Sequence, residues 1–121
     1  MPINPPVPPT PPYPTPTWAL TVINAHLDVA PNAVSHAARM KSDRYFVWQE
    51  EDDNDLSADN LHSERAMCGY TDLFTKREFD PWIVQLENSF DSYGISWNRT
   101  GMTYEPDTGF FHWSWDWEVA W

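Results

Sequence analysis

The chain has 121 residues, with 18 acidic and 7 basic side chains and a formal net charge of −11. This length accommodates one domain with a single hydrophobic core. The negative charge argues against a protein that binds nucleic acid through phosphate contacts, because an acidic surface repels DNA. The single cysteine excludes a disulfide within the chain, and no stretch is long and apolar enough to cross a bilayer.

The first 16 residues differ in composition from the rest. Nine of the twelve prolines lie between Pro2 and Pro16, and this segment has no charged side chain and no glycine. Proline fixes φ and removes backbone donors, so the composition favours polyproline II. We therefore divide the chain into a Pro-rich arm, 1–16, and a folded domain, 17–121. The arm is expected to bind a partner through these residues: Pro5, Pro6, Pro8, Pro9, Pro11, Pro12 and Tyr13.

The folded domain begins with a helical pattern. Apolar residues repeat at helical spacing from Trp18 to Val29, which predicts a helix over 17–29 with Thr17 as its N-cap. Two β-favouring runs follow, 34–40 and 45–50, separated by a polar turn. This spacing predicts an antiparallel pair of strands.

The second half of the domain begins with a strand and continues with a helix. A third strand is predicted over 65–75, after a polar segment, 50–64, that is too long for a tight hairpin and is interpreted as a protruding loop. Asp80 as N-cap and Pro81 at the first helical position predict a second helix over 81–93, with Gly94 just past its end.

The last two predicted strands, 95–104 and 110–121, flank a Pro and Gly turn. From Phe111 to Trp121 every second residue is aromatic or Val, and mostly polar residues lie between them. Side chains alternate faces along a strand, so one face of this strand is apolar and must be covered. We expect the tryptophan face to pack on the second helix, through Ile83, Leu86 and Phe90.

Together these elements predict an α+β fold. The predicted order is α-β-β-β-α-β-β, with two helices packed on one face of an antiparallel sheet of about five strands. The Pro-rich extended arm precedes this domain.

The segment from Glu50 to Glu64 holds the densest group of possible metal ligands. Its acidic spacing from Asp53 imitates an EF-hand loop, but Ala58 replaces the glycine that the loop requires. The four histidines lack zinc-type spacing, and no glycine-rich phosphate loop or paired nucleophile and base is apparent. We therefore expect no catalysis, no cofactor and no metal. Calcium binding by this segment remains the alternative interpretation.

Four short motifs occur in a characteristic order. They are an aromatic strand ending in an acid, Tyr45 to Glu50; an Ala-Asp-Asn loop within Ser57 to Asn60; the strand Tyr70 to Lys76; and, after a helix, Gly94 to Trp97. In order and spacing they resemble the small tail-completion proteins of long-tailed bacteriophages, over roughly residues 34–121. Neither the Pro-rich arm nor the tryptophan ladder belongs to that family's pattern.

The resemblance implies a structural virion protein. Such a protein forms a six-fold ring at the head-proximal end of the tail, terminates the tail tube or joins it to the head connector, and assembles in the host cytoplasm. Its partners are further copies of itself, the tail tube protein and the head-tail connector proteins, with no membrane. DNA passes through the ring without specific binding. The residues expected to face the lumen or an adjoining ring are Glu50, Glu51, Asp52, Asp53, Asp55 and Asp59.

A second function class fits the arm alone. Its overlapping PxxP steps suit the groove of a proline-recognition domain, which would make the chain a cytosolic adaptor. No basic residue anchors either end of the motif. A ring of fixed mass favours the virion protein, whereas a monomer that binds such a domain favours the adaptor.

Overall fold

A computed structural model describes residues 14–51 and 66–120 of the chain. These residues form two helices and five strands, all within about one residue of the predicted positions except at the end of the first strand and the end of the first helix. The elements are α1 Thr17–Leu27, β1 Val34–His36, β2 Arg44–Glu50, β3 Ala66–Thr75, α2 Trp82–Ser92, β4 Ser96–Glu105 and β5 Phe110–Ala120. The α+β class and the element order are confirmed.

The strands form one sheet in the order β1-β2-β3-β5-β4. The pairs β2–β3, β3–β5 and β5–β4 are antiparallel, and β3 and β5 form the longest ladder. In that ladder Thr71 lies opposite Trp115, and Asp72 lies opposite Ser114. The two central strands therefore bring residues from the middle and the end of the chain together.

The predicted antiparallel pairing of the first two strands is wrong. Strand β1 runs parallel to β2, with Val34 opposite Phe46 and His36 opposite Trp48. The predicted strand over 34–40 ends at His36 because Ala37 adopts a positive φ of 66° and donates its amide to the Trp48 carbonyl. With so short a strand, the seven residues that follow suffice to return the chain to the start of β2, whereas parallel connections usually need a longer crossover.

The two helix starts differ in how they are capped. Pro16, and not the predicted Thr17, is the N-cap of α1, and no side chain caps its amides. Helix α2 begins at Trp82, but Asp80 still performs the predicted capping role, because its carboxylate accepts the Trp82 amide at 2.9 Å. Gly94 follows α2 with a φ of 71°, the left-handed conformation expected of a residue just past a helix.

Both helices cover the same face of the sheet, and the main core lies between them and the strands. Trp115, Trp117 and Val119 are buried there, while the intervening Asp116 and Glu118 are exposed. The three buried residues belong to the same hydrophobic cluster as the predicted residues of the second helix, Ile83, Leu86 and Phe90. The packing of the tryptophan face against α2 is confirmed.

A buried chain of hydrogen bonds joins α1 to the sheet. Nδ1 of His26 lies 2.7 Å from the Val22 carbonyl, which only accepts, so Nδ1 carries the proton. Nε2 then accepts from the hydroxyl of Thr71 at 2.9 Å. The same hydroxyl accepts the indole N–H of Trp117 at 2.9 Å. The geometry thus fixes His26 as one neutral tautomer.

We expect the buried His26 in this chain of hydrogen bonds to make the stability of the fold depend on pH. Burial lowers the pKa of His26 to about 4, although its bond to Val22 opposes the shift. A histidine with a lowered folded-state pKa stabilises the fold fully above its ordinary pKa, and this stability is lost as the pH falls from 6.5 towards 4. The free energy of unfolding, measured by urea titration, should fall by about 2 kcal/mol between neutral pH and a pH of about 5.

His26→Gln removes the titrating group and should flatten this slope even if it lowers overall stability. His36→Gln is the matched control, since His36 is exposed, and it should keep the slope. An unchanged slope in His26→Gln would contradict the assignment.

Candidate interaction surfaces

The face of the sheet opposite the helices carries polar and charged residues along its centre. Asp72, from β3, accepts a hydrogen bond from the hydroxyl of Ser114, on β5, at 2.7 Å. Nε2 of His112 lies 3.0 Å from the same carboxylate oxygen, an ion-pair distance without the alignment of a hydrogen bond. Ser114 and His112 both face Asp72 and do not pair with each other. This is not the arrangement of a nucleophile activated by a base, in which the serine bonds to the histidine.

One end of this face is aromatic and carries cations. Tyr45 stacks on Phe74 at 5.2 Å, and Phe110 contacts both rings edge to face. The guanidinium of Arg39 lies 4.0 Å from the centre of the Phe74 ring and donates to the Tyr45 hydroxyl at 3.2 Å. The ammonium of Lys76 lies 4.9 Å from the Phe110 ring. Cation and ring contacts of this kind stabilise the loop that connects β1 and β2.

The opposite end, where β2 and β5 finish, is acidic. Glu50 accepts a hydrogen bond from His36 at 2.7 Å, and this bond is the main reason why its pKa lies below the ordinary value. Glu51 lines a shallow depression of about 350 Å³ together with Asp116 and Glu118. None of the lysines and arginines in residues 14–51 and 66–120 lines this depression.

Another surface lies on the side of the sheet that the helices cover, next to the N-terminal end of α2. Here the hairpin end of β4 and β5 extends past the helix layer, and large apolar side chains remain accessible. Phe79 is 83% exposed, and a cavity of about 280 Å³ separates it from Trp113 and the start of α2. Met102 and Tyr104 lie opposite Trp113 and Phe111 in the ladder. We call this the hairpin patch: Phe79, Val84, Met102, Tyr104, Phe111 and Trp113.

Two ion pairs lie beside the hairpin patch. Arg99 forms a bidentate pair with Glu87, with distances of 2.6 and 2.7 Å, and Asp80 is bonded to Arg44. The indole nitrogen of Trp113 is one of two buried side-chain polar atoms in the described residues that have no hydrogen-bond partner. The six side chains of the patch carry no charge, and the two charged residues that line its cavity, Asp80 and Arg99, are both paired.

The predicted site residues are only partly covered by the structure. Glu50 and Glu51 lie at the acidic end of the sheet, and their expected position at a lumen or an adjoining ring stays a prediction. The remaining predicted residues lie outside the described residues; they are Pro5, Pro6, Pro8, Pro9, Pro11, Pro12, Tyr13, Asp52, Asp53, Asp55 and Asp59.

The network of Asp72, His112 and Ser114 was not predicted. The alternation of β5 places His112 and Ser114 on the polar face, and that signal was available. Their meeting with Asp72 depends on the register of β3 against β5, which joins residues about 40 positions apart. The hairpin patch was missed because the predicted helix was expected to cover the whole tryptophan face.

No protein-family model matches the chain, and no curated protein matches its sequence. Within residues 14–51 and 66–120, no helix is long and apolar enough to cross a membrane. The same residues contain no group of three or more His, Cys, Asp or Glu side chains placed to hold a metal ion.

Proposed function

We propose that this chain is a structural virion protein that forms a ring at the head-proximal end of a phage tail. In that position it terminates the tail tube, joins it to the head connector, or does both. The observation that carries the proposal is the order of the four motifs. Three of them lie in the described residues, where they coincide with β2, with β3, and with the junction from α2 to β4. This is the succession of elements that the resemblance implies.

The distribution of charge supports the proposal. A ring through which DNA passes must not retain the DNA, and a chain with a net charge of −11 repels phosphates. At the acidic end of the sheet, Asp116 and Glu118 lie near Glu51. The other acidic residues expected to face the lumen follow Glu51 in the sequence. We infer that this end faces the lumen or an adjoining ring.

The available contact surfaces also support it. Ring subunits associate head to tail, so each subunit needs two different surfaces that fit each other. The described sheet has two different edges, β1 on one side and β4 on the other. The hairpin patch adds an apolar surface that the described residues of one copy leave exposed.

Labelling of phage particles tests this function. An antibody raised against the purified chain is applied to particles produced from the genome that encodes it, followed by gold-conjugated secondary antibody and electron microscopy. We expect gold at the junction of head and tail. Antibody preabsorbed with the purified chain is the control and should give no label there.

Gold elsewhere on the particle, or a protein found only in the soluble fraction of the lysate, would contradict the proposal. A soluble monomer that binds a proline-recognition domain through its arm would favour the adaptor instead.

A further inference from the structure

We propose that the Pro-rich arm of one copy of the chain docks on the hairpin patch of a neighbouring copy. The inference rests on the self-assembly contained in the proposed function and adds to it the contact by which copies hold one another. It concerns residues 1–13 as the ligand and the hairpin patch as the receptor.

The apolar character of the patch is the first reason. Four of the six most exposed large hydrophobic side chains in the described residues belong to it: Phe79, Val84, Met102 and Tyr104. The rings of Tyr104 and Phe111 lie 4.8 Å apart and extend the aromatic surface along the hairpin. A contiguous exposed apolar surface of this kind marks an interaction site.

The chemistry of the arm matches this surface. Grooves lined by aromatic side chains bind proline-rich segments, because polyproline II is already ordered and its rings pack on flat apolar surfaces. Residues 1–13 contain seven prolines, one tyrosine and no charged side chain. The six side chains of the patch carry no charge and the charged residues that line its cavity are paired, whereas the opposite face has both cationic and acidic surfaces. A charge-free segment is therefore better suited to the patch than to those surfaces.

The position at which the arm joins the domain favours a neighbouring copy over the same copy. The described chain starts at Pro14, immediately before α1, and Trp18 packs on Trp48 beside the β1 edge of the sheet. The hairpin patch lies at the β4 edge, on the opposite side. In a head-to-tail ring one edge of each subunit faces the opposite edge of the next. Thirteen residues in polyproline II reach ~40 Å, enough to cross such a contact.

Photo-crosslinking of the full chain tests the inference. Val7, near the middle of the arm, is replaced by a photoreactive phenylalanine analogue, and unlabelled and ¹⁵N-labelled copies are mixed, irradiated and digested. We expect the arm peptide to be linked to peptides that contain Phe79 or the β4–β5 hairpin. Pairs of mixed isotope composition identify links between two copies.

Two variants make the result specific. Phe79→Asp introduces a charge at a side chain that is 83% exposed and should lower the yield of these links about tenfold without unfolding the domain. Leu20→Asp, on α1, is the matched control at another exposed apolar residue and should leave the yield unchanged.

Links from the arm to other peptides would overturn the inference, as would links confined to pairs of one isotope composition. An equal yield in Phe79→Asp and the unsubstituted chain would do the same. These failures are distinct from failure of the proposed function, since a ring that forms without arm links overturns the inference alone. Arm links between copies that never close into a ring contradict the function alone.

Discussion

Trp115→Ala is expected to lower the free energy of unfolding by about 3–5 kcal/mol, the range found when a large buried aromatic residue is truncated. Trp115 has no exposed surface and lies in β5, which pairs with a neighbouring strand on each side. Its indole N–H also donates to Glu87 at 2.8 Å, so the substitution leaves both a cavity and a buried carboxylate with one partner fewer. Chemical denaturation followed by circular dichroism measures the effect.

Asp116→Ala is the matched control for this substitution, because the next residue along the same strand faces the opposite side and is exposed. Its effect should stay within about 0.5 kcal/mol. Trp115→Phe should lie between the two, since an aromatic ring remains while part of the buried volume and the hydrogen bond to Glu87 are lost. A loss below about 1 kcal/mol for Trp115→Ala would contradict the packing of the tryptophan face against α2.

Asp80→Ala should destabilise the domain to a similar degree, by about 3–5 kcal/mol, since breaking a buried ion pair leaves a charge without its partner. The Asp80 side chain is fully buried and accepts hydrogen bonds from Arg44 at 2.8 Å, from Thr75 at 2.7 Å and from the Trp82 amide at 2.9 Å. Burial alone would raise its pKa, but these hydrogen bonds outweigh burial and hold the pKa below its ordinary value. The stability from Asp80 is therefore present above its ordinary pKa and lost as the pH falls through the folded-state value.

Asp43→Ala provides the comparison for Asp80→Ala. Asp43 pairs with Lys76 at 3.7 Å, but its side chain is 83% exposed. Exposed ion pairs contribute little, so we expect a change below about 1 kcal/mol. Equal effects of the two substitutions would show that the Asp80 site does not anchor the start of α2.

The sequence predicts the positions of the helices and strands more completely than it predicts which strands and side chains pair with each other. The last strand and the second helix were located because alternation over 110–121 and the Asp80-Pro81 start are local signals. The parallel pairing of β1 was not predictable from local pattern, because it depends on the conformation of Ala37 and its bond to Trp48. Local reasoning also places Arg44 in a turn, whereas the fold brings it to Asp80, 36 residues away, with its guanidinium 3.7 Å from the centre of the Trp82 ring.

The same limit applies to the candidate surfaces. Glu50 and Glu51 were singled out because they are adjacent in sequence, whereas Asp116 and Glu118 join them only through the pairing of the strands. The hairpin patch arises from a mismatch in length, since α2 spans 11 residues, or ~16 Å at 1.5 Å per residue, and β5 spans 11 residues, or ~36 Å. A helix of this length cannot cover such a strand, so Phe111 and Trp113 extend beyond it. Comparing predicted element lengths would have indicated this surface.

The mass of the assembled protein tests the central claim most directly. The purified full chain is examined by native mass spectrometry over a range of concentrations, and the same sample is imaged by negative-stain electron microscopy. The account predicts one closed species of about six copies of the 14.1 kDa chain, seen as a ring with a central opening. A monomer at every concentration, or an open series of masses without a closed ring, would contradict it.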